Sequence, residues 1–151
     1  TSSWEKLQGT TLADASGGWY HVVLTRDDSA NDLILYVNGV NVAENLGFTI
    51  STNNNNSEFM IGNRNGGSSA WYDGRVDEVA FWDTELSANA VSALYNSGAG
   101  LSASSNSGNY TFSGDLLIYL KMQQNLQDSA NSYDFSNQNL NDPDDYDQTN
   151  F

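Results

Sequence analysis

Short runs of alternating hydrophobic and polar residues recur along the chain, a pattern typical of β-strands with one buried face. The most informative run extends from Gly74 to Trp82 and contains two acidic residues, Asp77 and Glu78, among valines and aromatic residues. Asn38-Gly39 is the residue pair most typical of a two-residue β-hairpin turn. The pattern predicts further strands at 19–26, 33–37, 40–44, 48–51, 58–61 and 115–122.

One segment, residues 88–95, follows helical rather than strand spacing. Its apolar residues form a single stripe (Val91, Leu94 and Tyr95). Ser87 precedes the segment as an N-cap, while Asn96 and Gly98 follow it as stop signals. The sequence therefore predicts an all-β chain with one short helix after the strand that carries Asp77.

Charge changes this picture more than any other feature of the composition. The 151 residues include 19 Asp and Glu but only 5 Lys and Arg, which gives a net charge of −14. Such a surface repels nucleic acids and anionic membranes and suits divalent cations or neutral sugars, although solubility alone also explains it. The absence of cysteine excludes disulfides and thiolate chemistry. No apolar run approaches the roughly 18 residues of a membrane helix, so no membrane insertion is expected.

Two stretches resemble a known family. Gly74-x-Val-Asp-Glu-Val-Ala-x-Trp82, followed by Leu86-Ser87 and the helix, is similar to laminin-G-like (LamG) domains of the concanavalin A-like lectin/glucanase superfamily. A second match, upstream, runs from Gly18-Trp-Tyr-His-Val-Val-Leu-Thr25 to Leu35-Tyr-Val-Asn-Gly39. The resemblance covers about residues 17 to 98. It implies an antiparallel two-sheet jelly-roll sandwich.

The resemblance also implies an unusual domain organisation. Residues 1–98 match the later part of a LamG-like sandwich, and residues 99–114 have the Gly, Ser and Asn content of a linker. Residues 115–151 are similar to the opening strand and loop of such a domain. Two explanations follow. The favoured one is that the chain is a fragment of a tandem-repeat protein; the other is that the fold is permuted and the last strand fills the first-strand position.

Catalysis is not expected. Glucanases of this superfamily use paired carboxylates on one strand, whereas Asp77 and Glu78 are adjacent and would point to opposite faces of a regular strand. The single histidine, His21, has no neighbouring nucleophile or orienting carboxylate in the sequence. We therefore predict that the chain is not an enzyme and that His21 is an ordinary sheet residue.

Asp77 is better explained as a metal ligand, because a carboxylate inside an apolar strand needs a cation or several hydrogen bonds. Domains similar to this one often hold Ca²⁺ between the opening turn and the strand that carries the Asp-Glu pair. The resemblance thus implies Asp77 and Asp128 as calcium ligands, with Ser129 and Asn131 beside Asp128. The alternative is that backbone amides and Arg75 satisfy Asp77.

Polar loops with aromatic residues suggest glycan binding, since sugars need an aromatic platform together with amides and charged groups. The candidate ligand-binding residues are Trp71, Tyr72, Arg64 and Asn55, whereas Trp19 and Trp82 are expected in the core.

The leading hypothesis is a lectin-like recognition or adhesion module within an extracellular, bacterial cell-surface or virion protein. Its expected partners are a glycan or a surface protein, and neighbouring repeats of the same polypeptide. The alternative is a structural spacer or decoration domain of a bacterial surface fibre or phage particle, without a small ligand.

Overall fold

The structure is a computed structural model that describes residues 18–47, 61–62, 72, 74–122 and 128–131 of the chain. Contacts divide the chain into two compact units, one formed by residues 1–50 and 82–117 and the other by residues 51–81 and 118–151. The regular elements, in chain order, are β1 (Val22–Asp27), β2 (Asp32–Val37), β3 (Val40–Asn45), β4 (Val79–Trp82), helix α1 (Ala88–Tyr95) and β5 (Leu116–Leu120). Short 3-10 helices lie at Asn96–Gly98 and Ser113–Asp115.

A three-stranded antiparallel sheet in the order β1-β2-β3 dominates the first unit. The turn between β2 and β3 is the predicted Asn38-Gly39 pair, and both residues have positive φ, 51° and 77°. Two positive φ values define the type I′ turn, whose twist matches that of the strands it joins. A register shift between Leu35 and Tyr36 introduces an irregularity in the pairing of β2 with β3.

Helix α1 packs against one face of this sheet. Its residues Ala90, Val91 and Leu94 form a core cluster with Tyr36 and Tyr110, and Leu86 completes the cluster. The predicted helix limits are confirmed: the Ser87 hydroxyl accepts a hydrogen bond from the Ala90 amide at 3.2 Å, and Asn96 adopts the left-handed conformation. Both caps satisfy backbone groups that a helix end leaves unpaired.

The segment 99–114 differs from the linker that its composition predicts. Tyr110 is fully buried, and its hydroxyl accepts a hydrogen bond from Trp82 Nε1 at 2.9 Å while donating one to the Ala103 carbonyl at 2.6 Å. Ala103 is also buried. A buried aromatic ring with a satisfied hydroxyl attaches the segment to the core, so it packs as part of the first unit.

The predicted strand from Gly74 to Trp82 is shorter in the structure, where β4 starts at Val79. Glu78 has a φ of 53°, which lies in the left-handed region and interrupts the alternation of faces. The expectation that Trp19 lies in the core is wrong, because 54% of this residue is exposed. Trp82 does pack against the core cluster.

Strands β4 and β5 form a two-stranded sheet. The prediction of an all-β fold with one short helix after the Asp-Glu strand is confirmed. The predicted strand at 48–51 lies outside the described residues, as does the one at 58–61 apart from Ile61. Among the residues that the structure describes, no helix has the length and apolarity needed to span a membrane.

Candidate functional site

Tyr119 in β5 is the centre of a group of polar residues in the second unit, which we call the Tyr119 cluster (Asp77, Glu78, Tyr119, Lys121 and Asp128). The Tyr119 side chain is almost fully buried, and its hydroxyl donates a hydrogen bond to Glu78 Oε2. The Lys121 ammonium lies 5.5 Å from the centroid of the Tyr119 ring, within the range of a cation–π contact. A buried aromatic ring thus holds a carboxylate and an ammonium group in place.

Several neighbouring groups of the cluster act on Glu78. Burial of its carboxyl group raises the pKa above the ordinary value, and the negative charge of Asp77 raises this pKa further. The Tyr119 hydroxyl and the positive charge of Lys121 act in the opposite direction. Much of Glu78 remains in contact with solvent. Its carboxylate is nevertheless oriented by the hydrogen bond from the buried Tyr119 side chain.

Asp77 precedes Glu78 and is half-buried. Burial raises the pKa of its carboxyl group, and a hydrogen bond from the Glu78 backbone amide partly offsets that effect. The alternative explanation of Asp77, in which backbone amides rather than a metal ion satisfy its carboxylate, predicts this kind of contact. Because Glu78 interrupts the strand, the two carboxylates are not held on opposite faces as they would be in a regular strand.

Asp128 binds the backbone of its own turn and of β5. Its Oδ1 accepts hydrogen bonds from the amides of Tyr119 at 2.8 Å and Ala130 at 2.9 Å, and its Oδ2 accepts one from the Asn131 amide at 3.1 Å. The Ser129 amide returns a bond of 2.8 Å to the Tyr119 carbonyl. Asp128 is only 8% exposed, so these bonds compensate for the burial of its carboxylate.

These contacts bear on the predicted calcium site, because Ca²⁺ takes six to eight oxygen ligands. Within the described part of the chain, no three acidic or histidine side chains converge closely enough to hold a metal ion. Asp128 already uses both carboxylate oxygens as acceptors of backbone amides. An ion at Asp77 and Asp128 would need further oxygens from backbone carbonyls or from residues outside the described ranges. Calcium binding stays a prediction.

Tyr72 is the one predicted ligand-binding residue that the structure describes; Trp71, Arg64 and Asn55 lie outside the described residues. Its backbone amide donates a hydrogen bond of 2.8 Å to the Gly62 carbonyl, and 60% of the residue is exposed. The ring lies over Gly74, where an added Cβ would come within 2.7 Å of Tyr72 Cζ. Glycine at this position therefore permits the tyrosine ring to lie against the backbone.

Sequence reasoning missed Tyr119 and Lys121 as members of this site. Tyr119 lies in a continuous apolar run typical of a buried strand, Lys121 follows that run directly, and neither residue type signals a polar cluster there. The sequence contains a signal only at Glu78, the acceptor of the Tyr119 hydrogen bond, because a carboxylate in an apolar run requires a partner.

A comparison with known protein families agrees with the fold. The sequence model of the concanavalin A-like lectin/glucanases superfamily matches residues 1–92, more than half of the chain. Among solved structures, the chain is similar to the crystal structure of an S-layer domain-containing protein from Clostridium thermocellum, with 26% identity and a TM-score of 0.48. That match covers 56% of this chain and 42% of the crystallised one. No curated protein matches the chain.

Proposed function

Because this chain belongs to the concanavalin A-like lectin/glucanase superfamily, we propose that it is a recognition module of a surface protein that binds glycans at Tyr72. Laminin-G-like domains of this kind are generally non-catalytic, which favours a binding role. The observation that carries the proposal is the exposed Tyr72 ring over Gly74.

An exposed aromatic ring suits sugars because pyranose rings offer a flat array of C–H groups to an aromatic face. The ring must also be held in one orientation, since each side chain that binding immobilises weakens the affinity. The Tyr72 amide is bonded to Gly62, and the ring lies against Gly74. Tyr72 therefore combines exposure with restricted freedom, as a binding platform requires.

Polar groups in the same compact unit could meet sugar hydroxyls. Glu78 has a carboxylate that accepts hydrogen bonds, and Lys121 has an ammonium group that donates them. Tyr119 positions both groups through its hydroxyl and its ring. The net charge of −14 supports a neutral rather than an anionic glycan as the ligand, since acidic sugars would be repelled.

A glycan array probed with the 151-residue chain, with and without Ca²⁺, tests the proposal. We expect binding to at least one neutral glycan, and we expect Tyr72→Ala to weaken it about tenfold through loss of the aromatic contact. Gly74→Ala should also weaken binding, because its Cβ displaces the tyrosine ring.

Tyr20→Ala is the matched control, since Tyr20 is an exposed tyrosine (39%) in the other unit. This variant should bind as the wild type does, and melting curves should show that every variant is folded. If no glycan binds under either condition, or if Tyr72→Ala binds as tightly as the wild type, the proposal is wrong. A purely structural role would then be favoured.

A further inference from the structure

We propose that Asn109 is a site of N-glycosylation, where an oligosaccharyltransferase attaches a glycan to the side-chain amide nitrogen. The inference rests on the placement of the chain in a surface protein under the proposed function, because these enzymes act on exported chains. It does not depend on glycan binding at Tyr72.

The sequence contains the acceptor motif. Asn109-Tyr110-Thr111 is an Asn-X-Thr triplet whose middle residue is not proline, which is the pattern that these enzymes recognise. Since such short triplets also arise by chance, the position of the triplet in the fold decides its value. A second triplet, Asn55-Asn56-Ser57, lies outside the described residues, and we therefore limit the inference to Asn109.

Asn109 lies at the tip of a tight turn. Ser107 and Tyr110 exchange two backbone hydrogen bonds, of 2.9 and 3.0 Å, which leaves Gly108 and Asn109 as the two residues between them. Gly108 has a φ of 56°, and glycine at this first position is typical of two-residue turns. An added Cβ at Gly108 would meet no atom of the described residues within 4 Å. The turn therefore presents Asn109, which is exposed, in open surroundings.

The base of the same loop is fixed. Asn106 Oδ1 accepts a hydrogen bond of 2.9 Å from the Ser113 backbone amide, which closes the loop between these two residues. Tyr110 is fully buried, whereas its neighbours Asn109 and Thr111 are both exposed. A glycan on Asn109 therefore extends into solvent without disturbing the core, as a bulky surface modification requires.

The reaction needs a sugar donor with a good leaving group, and a polyprenyl-diphosphate-linked glycan is the chemical class that provides it. Nδ2 of Asn109 forms a bond to C1 of the first sugar while the bond between C1 and the diphosphate oxygen breaks. The polyprenyl diphosphate leaves, the amide nitrogen releases one proton, and nothing is oxidised or reduced. The Asn109 side chain is neutral before and after the transfer.

The folded turn withholds the middle of the triplet from the enzyme. The transferase must accommodate the backbone of all three residues, whereas the amide and carbonyl of Tyr110 are bonded to Ser107 and its side chain is 0% exposed. Opening the turn would break these bonds and expose the ring, which costs free energy. We therefore expect transfer to the chain before it folds and not to the folded chain.

The protein purified from the organism that encodes it tests the site. Electron-transfer fragmentation, which keeps a glycan on its residue, should find a hexose- or hexosamine-containing glycan on Asn109. Asn109→Gln and Thr111→Ala should each abolish this modification, whereas Thr111→Ser, which keeps the hydroxyl group, should retain it. Asn106→Gln is the matched control, because Asn106 is an exposed asparagine of the same loop outside any triplet. An unmodified Asn109 in the wild-type protein would overturn the proposal, even if Asn55 carries a glycan.

Cell-free translation with microsomal membranes tests the order of events. The chain, fused to a signal peptide, should be modified at Asn109 during synthesis. The folded 151-residue chain should not be modified when purified oligosaccharyltransferase and its lipid-linked donor are added. Equal transfer to both would overturn the expected order, and no transfer during synthesis would overturn the site itself. Because the glycan array for Tyr72 uses the unmodified chain, its outcome is independent of these results.

Discussion

His21 illustrates how one side chain can make the stability of the fold depend on pH. The residue is half-buried just before β1, and its ring stacks on Tyr95 with the centroids 6.0 Å apart. Its buried Nδ1 has no hydrogen-bond partner among the described residues. Burial lowers the pKa of His21 below its ordinary value of 6.5, because it disfavours the charged form of the ring.

We predict that His21 lowers the stability of the folded state as the pH falls below about 6.5. The unfolded chain binds a proton near its ordinary pKa, whereas the folded chain binds it only at lower pH. Protonation therefore favours unfolding, and the loss is complete once the pH is below the folded pKa. From pH 8 to pH 5, the urea midpoint of the wild type should therefore fall relative to that of His21→Gln.

The difference between the wild type and His21→Gln measures the contribution of His21 to the pH dependence of stability. Burial raises the pKa of Asp77, Glu78 and Glu85, and these groups stabilise the folded state as the pH falls, which is the opposite sign. They are present in both proteins and cancel in the difference. Parallel pH profiles for the wild type and His21→Gln would show that the stacked ring is solvated well enough to titrate normally.

Among the secondary-structure elements, the β2–β3 hairpin is constrained at its turn. Gly39 has a φ of 77°, and an added Cβ would lie 3.2 Å from Tyr95 Cδ1 and 3.3 Å from Ser92 Cα in helix α1. The turn is therefore restricted both by its backbone conformation and by the helix that packs against it.

We predict that Gly39→Ala lowers the free energy of unfolding by about 2–3 kcal/mol, from backbone strain together with the contact against the helix. Gly47→Ala is the matched control, because Gly47 has a φ of 82° but no atom of the described residues within 4 Å of the added Cβ. It should cost only about 1 kcal/mol. Equal losses for the two variants in urea denaturation would mean that the hairpin moves away from the helix at little cost.

The same elements show which parts of the fold the sequence predicts. Asn38-Gly39 and the caps at Ser87 and Asn96 are local signals whose conformations depend on a few neighbouring residues, and all are confirmed. The burial of Tyr110 is not predictable in this way, because its partners Trp82 and Ala103 are identified only by the tertiary contact.

The candidate site was predictable only in part, for a related reason. Alternating residue types indicate a regular strand from Gly74, but Glu78 adopts the left-handed conformation, and its carboxylate bonds to Tyr119, 41 residues away. The sequence does identify Glu78 as an anomaly, since a carboxylate in an apolar run needs a partner. It does not identify that partner.

At the scale of the whole molecule, the net charge of −14 opposes folding through repulsion among carboxylates. Glu85 shows the effect locally: burial raises its pKa, and the charges of Asp27 and Asp32 raise it further. Bound cations would relieve such repulsion. The question is whether they act as a diffuse ionic atmosphere or as one ion held at a site.

We predict a specific response to calcium, with Asp77 as the residue that distinguishes the two cases. A ligand that binds only the folded state stabilises it by about 3 kcal/mol at a hundredfold excess over its Kd. EDTA should therefore lower the melting temperature by several degrees, and Ca²⁺ should restore it better than Mg²⁺, which requires a tighter octahedral site.

Asp77→Asn should melt at a lower temperature and lose the response, whereas Asp83→Asn, at an exposed position after β4, should retain it. NaCl at matched ionic strength controls for screening. If wild-type melting is the same in EDTA and in millimolar Ca²⁺, no calcium is bound, and the backbone amide of Glu78 is the relevant partner of Asp77.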